Sequence, residues 1–463
     1  MKYHFKILEA DFISLKNHLY PGDLNEAVSI AICGRANNGA TFLVHKIINV
    51  PHELCVRKPD FIQWPTTQLL NELPNLVKKN MAIFKIHSHP GGYSKFSELD
   101  DKSDYEFFES IYGWYDNSEL HGSLVLLPNN SFFGRVVNEN LTFNEIEKFS
   151  RVGREIVINY KNNFSVSNPN SINLRNIQTL GEGTLKLLSQ MTIGVVGCSG
   201  TGSPVIEQLA RLGAGKLILV DPDKIEYKNL NRIINATLND ADNKSYKVEV
   251  LKRAIDSMGF NTDLETINTN ICEDAEAIES LSKCDILFGC MDSIDGRQIL
   301  NTVSSFYLIP YIDVGVKIIS DKRGGIEQIC GTVHYIIPGE SSLQSRGVFT
   351  AEELRSTNLL RVDQEEYNRQ KKSGYIVDIN VEAPAVISIN MFAASLAVNE
   401  FLSHIHPIKN EKLEEFDIIR FSLTDFYLMN EQSLDPIDIY LKKYVGRGDI
   451  KPIINMPQFT NHA

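Results

Sequence analysis

Two short stretches of this chain hold side chains at spacings suited to catalysis. In the first, His87-Ser88-His89-Pro90 is followed by Ser97 and Asp100. Two imidazoles two residues apart leave the same face of a strand and can converge on one ion, and Pro90 ends that strand. Ser97 stands where a helix N-cap belongs, which would hold Asp100 in the first helical turn. Two imidazoles and one carboxylate leave a fourth tetrahedral position open for water, the arrangement of a catalytic zinc site. Such a metal lowers the pKa of its water and polarises a carbonyl, but a separate base must move the proton. In the second stretch, Gly197-Cys198-Ser199-Gly200-Thr201-Gly202 joins an apolar strand-like run to a helical one. A turn of that kind lets phosphates approach backbone N–H groups at a helix N-terminus. Asp221 closes the next strand, where a ribose hydroxyl would be bound.

The first set resembles the JAB/MPN (JAMM) metallopeptidase family, whose motif is a glutamate, then His-x-His-Pro, then Ser-x-x-Asp. Glu26, in Asn25-Glu26-Ala27-Val28, fits the glutamate that serves the family as general base. The resemblance covers roughly residues 1–150. It implies Zn2+ held by His87, His89 and Asp100, a proton shuttled by Glu26, and a tetrahedral intermediate steadied by Ser97. The bland alternative is a structural metal site or an inactive member. His4, His45, His52 and His121 have no partner at ligand spacing and read as structural or surface residues. No His-Glu-x-x-His occurs, so the helical zincin arrangement is not the reading.

The glycine turn alone is a weak signal. Ser199 stands where a dinucleotide fingerprint wants its second glycine, and Gly215-Lys216 is followed by Leu217 instead of the Ser or Thr of a Walker P-loop. The residues further on decide it. Leu219-Val220-Asp221-Pro222-Asp223, Asn229-Leu230-Asn231-Arg232, Lys247-Val248-Glu249 and Cys290-Met291-Asp292 resemble the MoeB/ThiF and ubiquitin-activating superfamily in order and spacing. That resemblance runs from about Asn173 to the mid-420s. It implies ATP cradled by Gly197, Gly200 and Gly202, with Asp221 on the ribose, Asn229, Arg232 and Lys247 on the triphosphate, and Asp292 on Mg2+. Arg175 matches the arginine that reaches the partner subunit's ATP, so a homodimer is expected. Attack by a carboxylate on an α-phosphate brings anions together, and cationic groups must neutralise the approach.

The chain also departs from that superfamily. Many relatives hold a structural zinc with two Cys-x-x-Cys pairs. Here Pro338-Gly339 is followed by Ser341, Ser342 and Ser345, and no cysteine occurs after Cys330. The second zinc and the usual thioester cysteine are therefore both expected to be missing. Cys198 reads as a small packing residue. The expected sequence of events stops at the adenylate and passes it directly to an external nucleophile, such as the cysteine of a conjugating-enzyme-like protein.

The elements that must position these residues divide the chain in two. With 463 residues, two or three domains are expected. Strand-like runs at 27–33, 41–50, 81–87, 122–127 and 134–137 interleave with helical patterns at 66–79 and 98–112, and a helical stretch is expected at 143–160. Beyond an Asn- and Ser-rich piece the rhythm becomes strand–helix–strand, with strands at 193–196, 217–220, 286–290 and 311–316 and helices at 204–212, 248–258 and 297–306. That alternation implies a mostly parallel sheet covered on both faces. The fold class is thus α/β: an N-terminal JAB/MPN-like mixed α/β domain (1–150), a linker (151–172), a Rossmann-like ThiF-type domain (173–430) and a peripheral C-terminal tail (431–463).

A net charge of -12 gives no support for a nucleic-acid surface. Seven scattered cysteines without a Cys-x-x-Cys argue for reduced thiols in a cytoplasm. No signal-peptide core is apparent, and the apolar run 383–405 is interrupted by polar residues, so a buried helix explains it better than a membrane span. Taken together, one site would trim or release a ubiquitin-like C-terminus and the other would adenylate it. The way such fusions are organised in bacteria points to antiviral defence as one pathway. Two alternatives stay open: an adenylyltransferase for a sulfur carrier or short peptide in biosynthesis, and a non-catalytic scaffold that binds a modifier.

Overall fold

The computed structural model describes residues 2–115, 117–161, 171–321, 323–373 and 384–460. The chain forms two compact units. The first takes in Met1–Ser165 with Phe306–Leu308 and Tyr444–Ile450; the second takes in Val166–Ser305, Ile309–Lys443 and Lys451–Ala463.

In the first unit the elements run β1 (Tyr3–Leu8), α1 (Glu9–Leu19), β2 (Val28–Ala36), β3 (Thr41–Asn49), β4 (Val56–Lys58), β5 (Phe61–Gln63), α2 (Thr67–Lys78), β6 (Ala82–Ser88), α3 (Glu98–Trp114), β7 (His121–Leu126), β8 (Phe132–Val137), β9 (Phe143–Val152) and β10 (Ile156–Tyr160). The main sheet has the order β1-β3-β2-β6-β7-β8-β9-β10, and β1 also pairs in parallel with β9, which closes it into a barrel-like sheet. The twofold side-chain period of a strand sorts its residues between two cores. Ala31, Cys33, Phe84 and Ile86 point into the barrel with Phe5, Phe42 and Phe149. Ile30, Ile32 and Ile83 point outward against Leu69, Leu73 and Leu76 of α2 and Phe107, Phe108 and Ile111 of α3.

The region expected to be helical over 143–160 is instead the strand pair β9 and β10, joined antiparallel in register from Ile156 opposite Val152 to Tyr160 opposite Lys148. The apolar positions Phe143, Ile146 and Phe149 are three apart and imitate a helical stripe, but pairing with β1 fixes the strand. The expected linker 151–172 is correspondingly strand and hairpin as far as Tyr160, and its residues 162–170 lie outside the described residues.

The second unit runs α4 (Leu174–Leu188), β11 (Thr192–Val196), α5 (Gly202–Arg211), β12 (Lys216–Val220), α6 (Leu238–Asp242), α7 (Lys247–Met258), β13 (Asp263–Ile267), α8 (Ala275–Leu281), β14 (Ile286–Gly289), α9 (Ile294–Tyr307), β15 (Tyr311–Ser320), β16 (Ile326–Ile336), α10 (Ala351–Val362), α11 (Gln364–Lys372), α12 (Ile387–Ile405), β17 (Ile418–Ser422), β18 (Tyr427–Glu431) and α13 (Ile439–Lys442). Its sheet has the order β13-β12-β11-β14-β15-β16-β17-β18. Strands β13 to β15 are parallel and β15 to β18 antiparallel. Strand order reverses between β11 and β14, and in such a sheet ligands bind in the crevice beyond the carboxyl ends of those two strands.

The stretch after Glu431, expected to be peripheral, is partly core. Ile454 and Phe459 are buried, and Tyr444–Ile450 belongs to the first unit. There Gly34 N–H donates to Gly446 O at 3.1 Å and Asp449 N–H to Arg35 O at 2.7 Å. A Cβ on Gly448 would lie 2.1 Å from Arg35 O, so only glycine permits this approach. Among the described residues no helix is long and apolar enough to cross a membrane.

Candidate functional site

Strand β6 delivers His87 near its end, on the face of Ile83, towards α3. The register sets Val28 opposite His87. Beyond it Ser88 N–H donates to Ala27 O at 3.1 Å, and Ala27 N–H donates to Ser88 Oγ at 3.0 Å. These bonds bring Glu26 alongside the His-x-His segment. Helix α3 supplies the carboxylate. Ser97 is its N-cap and forms a capping box with Asp100: Ser97 N–H and Oγ–H donate to Asp100 Oδ2 at 2.7 and 2.8 Å, and Asp100 N–H donates to Ser97 Oγ at 3.1 Å. The sequence expectation of a cap at Ser97 therefore matches the helix, and its hydroxyl is engaged by Asp100.

His87, His89 and Asp100 converge. His87 Nε2 lies 2.9 Å from Asp100 Oδ1 and 3.1 Å from His89 Nε2, and His89 Nε2 lies 3.4 Å from Asp100 Oδ2. Their donor atoms all fall within 4.8 Å of one another, which suits one metal ion. His89 Nδ1 bonds Tyr93 O at 2.7 Å, leaving Nε2 for the cluster. Burial opposes charge on Asp100, but hydrogen bonds from the two histidines outweigh it and hold the carboxyl well below its ordinary range. Burial pushes the Glu26 carboxyl up to about 7, against the pull of His89. Glu26, His87 and Asp100 open onto a cleft of about 500 Å³ between β5 and α3, walled by Trp64 and Phe107 and floored by Lys85. Sequence reasoning missed Lys85, a buried cation that pairs with Asp104. It shares a strand face with His87, and a period of two was the signal that could have found it.

The glycine turn occupies the crevice between β11 and β14. Gly197 has φ +93, and a Cβ there would lie 2.6 Å from Cys290 O; one on Gly202 would lie 1.8 Å from Gly197 O. A Cβ on Gly200 would meet Asn390 Nδ2 at 2.2 Å and Arg232 Cδ at 3.3 Å. Arg232 and Asn390 thus both lie at the turn. Asn390 was read only as a polar break in an apolar helix. Cys198 is fully buried, and burial raises its thiol well above the ordinary range, in keeping with a packing role.

Asp221, immediately after β12, accepts Cys198 N–H on Oδ2 at 2.7 Å and Asp223 N–H on Oδ1 at 2.9 Å. Burial raises its carboxyl despite the neighbouring Lys247. The Lys247 ammonium, at the start of α7, lies 3.7 Å from Asp221 Oδ1 and donates to Asp223 Oδ2 at 2.6 Å. Asn229 is buried and accepts Glu226 N–H at 2.9 Å; Arg232 donates to Lys228 O at 2.7 Å. Asp292 follows β14 and is exposed, as is Arg175 in the first turn of α4, which donates to Gln178 at 3.2 Å. The single exposed carboxylate of Asp292 suits Mg2+, which binds through one or two carboxylates together with substrate phosphates.

A nucleotide-binding α/β domain of the doubly wound type is what this sheet and its glycine turn define. The sequence matches the ThiF family over residues 172–435, and the chain belongs to that family. Similar curated proteins include ubiquitin-like modifier-activating enzyme 5 of Bombyx mori, 28% identical over 163 residues that make up 34% of this chain and 39% of that protein. The Caenorhabditis elegans counterpart is 29% identical over 169 residues, 34% of this chain and 37% of that protein. The chain thus spans about two-fifths of the length of the curated relatives it matches. Among solved structures, Escherichia coli MccB with ATP is 19% identical, covering 60% of this chain and 74% of that one with a TM-score of 0.43. MccB in complex with N-formylated MccA is 16% identical, covering 90% and 98% with a TM-score of 0.44.

Proposed function

We propose that the chain is a two-site enzyme acting on the C-terminus of a ubiquitin-like protein or peptide. The second unit adenylates that C-terminus with ATP, and the first unit cleaves behind it as a zinc-dependent peptidase or isopeptidase of the JAB/MPN type. Residues 1–150 and 173–430 carry the two activities. The observation that carries the reading is the meeting of Asp221, Lys247, Arg232 and the glycine turn at the sheet's crevice in a ThiF-family chain.

In adenylation, a carboxylate oxygen bonds to the α-phosphorus of ATP while the bond from that phosphorus to the bridging oxygen breaks, releasing pyrophosphate. Gly197, Gly200 and Gly202 give the phosphates access to backbone N–H groups at the start of α5. Asp221 accepts from the ribose, and Asn229, Arg232 and Lys247 hold the phosphates. Arg175 serves the ATP of a second copy in a homodimer. Asp292 would hold Mg2+, which when bound neutralises phosphate charge. With Cys198, Cys272, Cys284 and Cys290 buried and Cys330 half-buried within strand β16, the adenylate passes directly to an external nucleophile such as a conjugating enzyme's thiol.

In the first unit, His87, His89 and Asp100 would hold Zn2+, which when bound polarises the scissile carbonyl and acidifies water. Glu26 takes up a proton and returns it to the leaving amine. Ser97 fixes the orientation of Asp100 and steadies the intermediate. The relative named for activating a ubiquitin-like modifier supports a modifier as substrate.

The test is ATP–pyrophosphate exchange in the presence of β-grasp modifiers with a free C-terminus. Exchange should depend on the modifier and vanish in Asp292→Ala. Undiminished exchange in that variant would remove the assignment.

A further inference from the structure

Two loops are pinned together beside the glycine turn. Ile225 N–H donates to Ser245 O at 2.8 Å, and Lys224 and Tyr246 form an isolated antiparallel bridge. One residue on, Lys247 N–H donates to Asp223 O at 3.0 Å while its ammonium donates to Asp223 Oδ2 at 2.6 Å. Asp223 therefore grips Lys247 at both ends. The two partners differ in exposure: the Lys247 side chain is 6% exposed and that of Asp223 65%.

A buried ammonium needs a carboxylate, and two compete for this one. Asp221, itself buried, is only 3.7 Å away. Its oxygens already accept N–H groups from Cys198 and Asp223, so its remaining lone pairs are few. An ammonium moved onto Asp221 would take up the capacity that a ribose diol requires.

We propose that Asp223 is a positioning residue that parks the Lys247 ammonium clear of Asp221 and so keeps the ribose acceptor open. The proposal rests on the reading of Asp221 as ribose acceptor and Lys247 as phosphate ligand. Asp223 itself touches no nucleotide atom; it acts through Lys247. Removing its charge leaves the ammonium with Asp221 as its nearest carboxylate. The consequence is specific: any nucleotide loses part of its phosphate contact with Lys247, and one that depends on the ribose hydroxyls loses more.

Calorimetric titration of the full chain with Mg-ATP and with Mg-2′,3′-dideoxyATP tests this without any acceptor. The unsubstituted protein should prefer ATP. In Asp223→Asn that preference should fall by about tenfold, the scale of one charged hydrogen bond, and Asp223→Glu should keep most of it. The doubly substituted Asp223→Asn, Lys247→Met protein should regain the preference, because no ammonium remains to occupy Asp221. An equal loss for both nucleotides in Asp223→Asn, or no recovery in the double variant, would overturn the proposal. A protein that binds neither nucleotide before substitution would overturn the adenylation reading itself, and the proposal with it.

Discussion

Glu26 is a carboxylate in the wrong solvent: burial lifts it to about 7, which is where a general base at neutral pH is most useful. Under the proposed zinc-peptidase reading, Glu26→Gln should leave metal content unchanged, because Glu26 is not among the three converging residues, and should lower peptidase kcat/KM by about 10²–10⁴-fold. Metal analysis beside a cleavage assay checks both halves. His121 makes a different prediction. It is fully buried between the edges of Tyr112 and Tyr115, and its Nδ1 accepts Ile83 N–H at 3.1 Å. Burial, with Arg35 adding to it, drives its pKa well below the ordinary 6.5. The folded state therefore keeps the ring neutral while the unfolded chain takes up a proton below that value. The stability it contributes is present above pH 6.5 and is lost as pH falls, by about 1.4 kcal/mol per unit. His4 is held neutral by burial in the same way, so urea melts of the first unit between pH 7.5 and 5 should show at least that slope, and His121→Gln should lessen it by about 1.4 kcal/mol per pH unit. The sequence singled out His87, His89 and Asp100, which converge in the structure, because their spacings are local. Asn390 was not legible, because what makes it matter is a neighbour from another element; Lys85 was legible by its period of two with His87 and was overlooked.

Among elements, the ones that carry motifs were the easiest to read. Strand β6 and helix α3 announce themselves, the first by alternation and Pro90, the second by its Ser97 cap. Strands β9 and β10 did not, because Phe143, Ile146 and Phe149 keep helical spacing and the pairing that overrides it comes from β1. Nothing near residue 143 encodes that partner. The antiparallel strands β17 and β18 escaped for the same reason, and β13 was missed as a short half-exposed run. The turn between β11 and α5 shows how little freedom a readable element has. Gly197→Ala must hold a side chain at φ +93 and displace Cys290 O. It should cost the second unit about 1–3 kcal/mol and abolish Mg-ATP binding. A thermal melt and a titration measure the two effects separately; retained binding would show that the turn can relax without opening the crevice.

On the scale of the whole chain, composition and rhythm change before 173, whereas the compact units divide between Ser165 and Val166; the return of the chain to its own beginning was not legible. Gly446 and Gly448 complete the first unit: Val445 O is bonded by His45 Nδ1 at 2.6 Å across 400 residues of sequence. Gly448→Val would drive a branched side chain into Arg35 O and should destabilise the first unit by about 2 kcal/mol or more. The test is proteolysis of that unit in the variant, with second-unit nucleotide binding as the control; an unchanged cleavage rate would show the contact to be dispensable. That closure also sets a clock during synthesis. At about 5–20 residues per second, the ribosome needs about 20–80 s to travel from His45 to Val445. Until then the first unit lacks the strap that bonds Gly34, Arg35 and His45, so a chain released midway would carry that unit incompletely built.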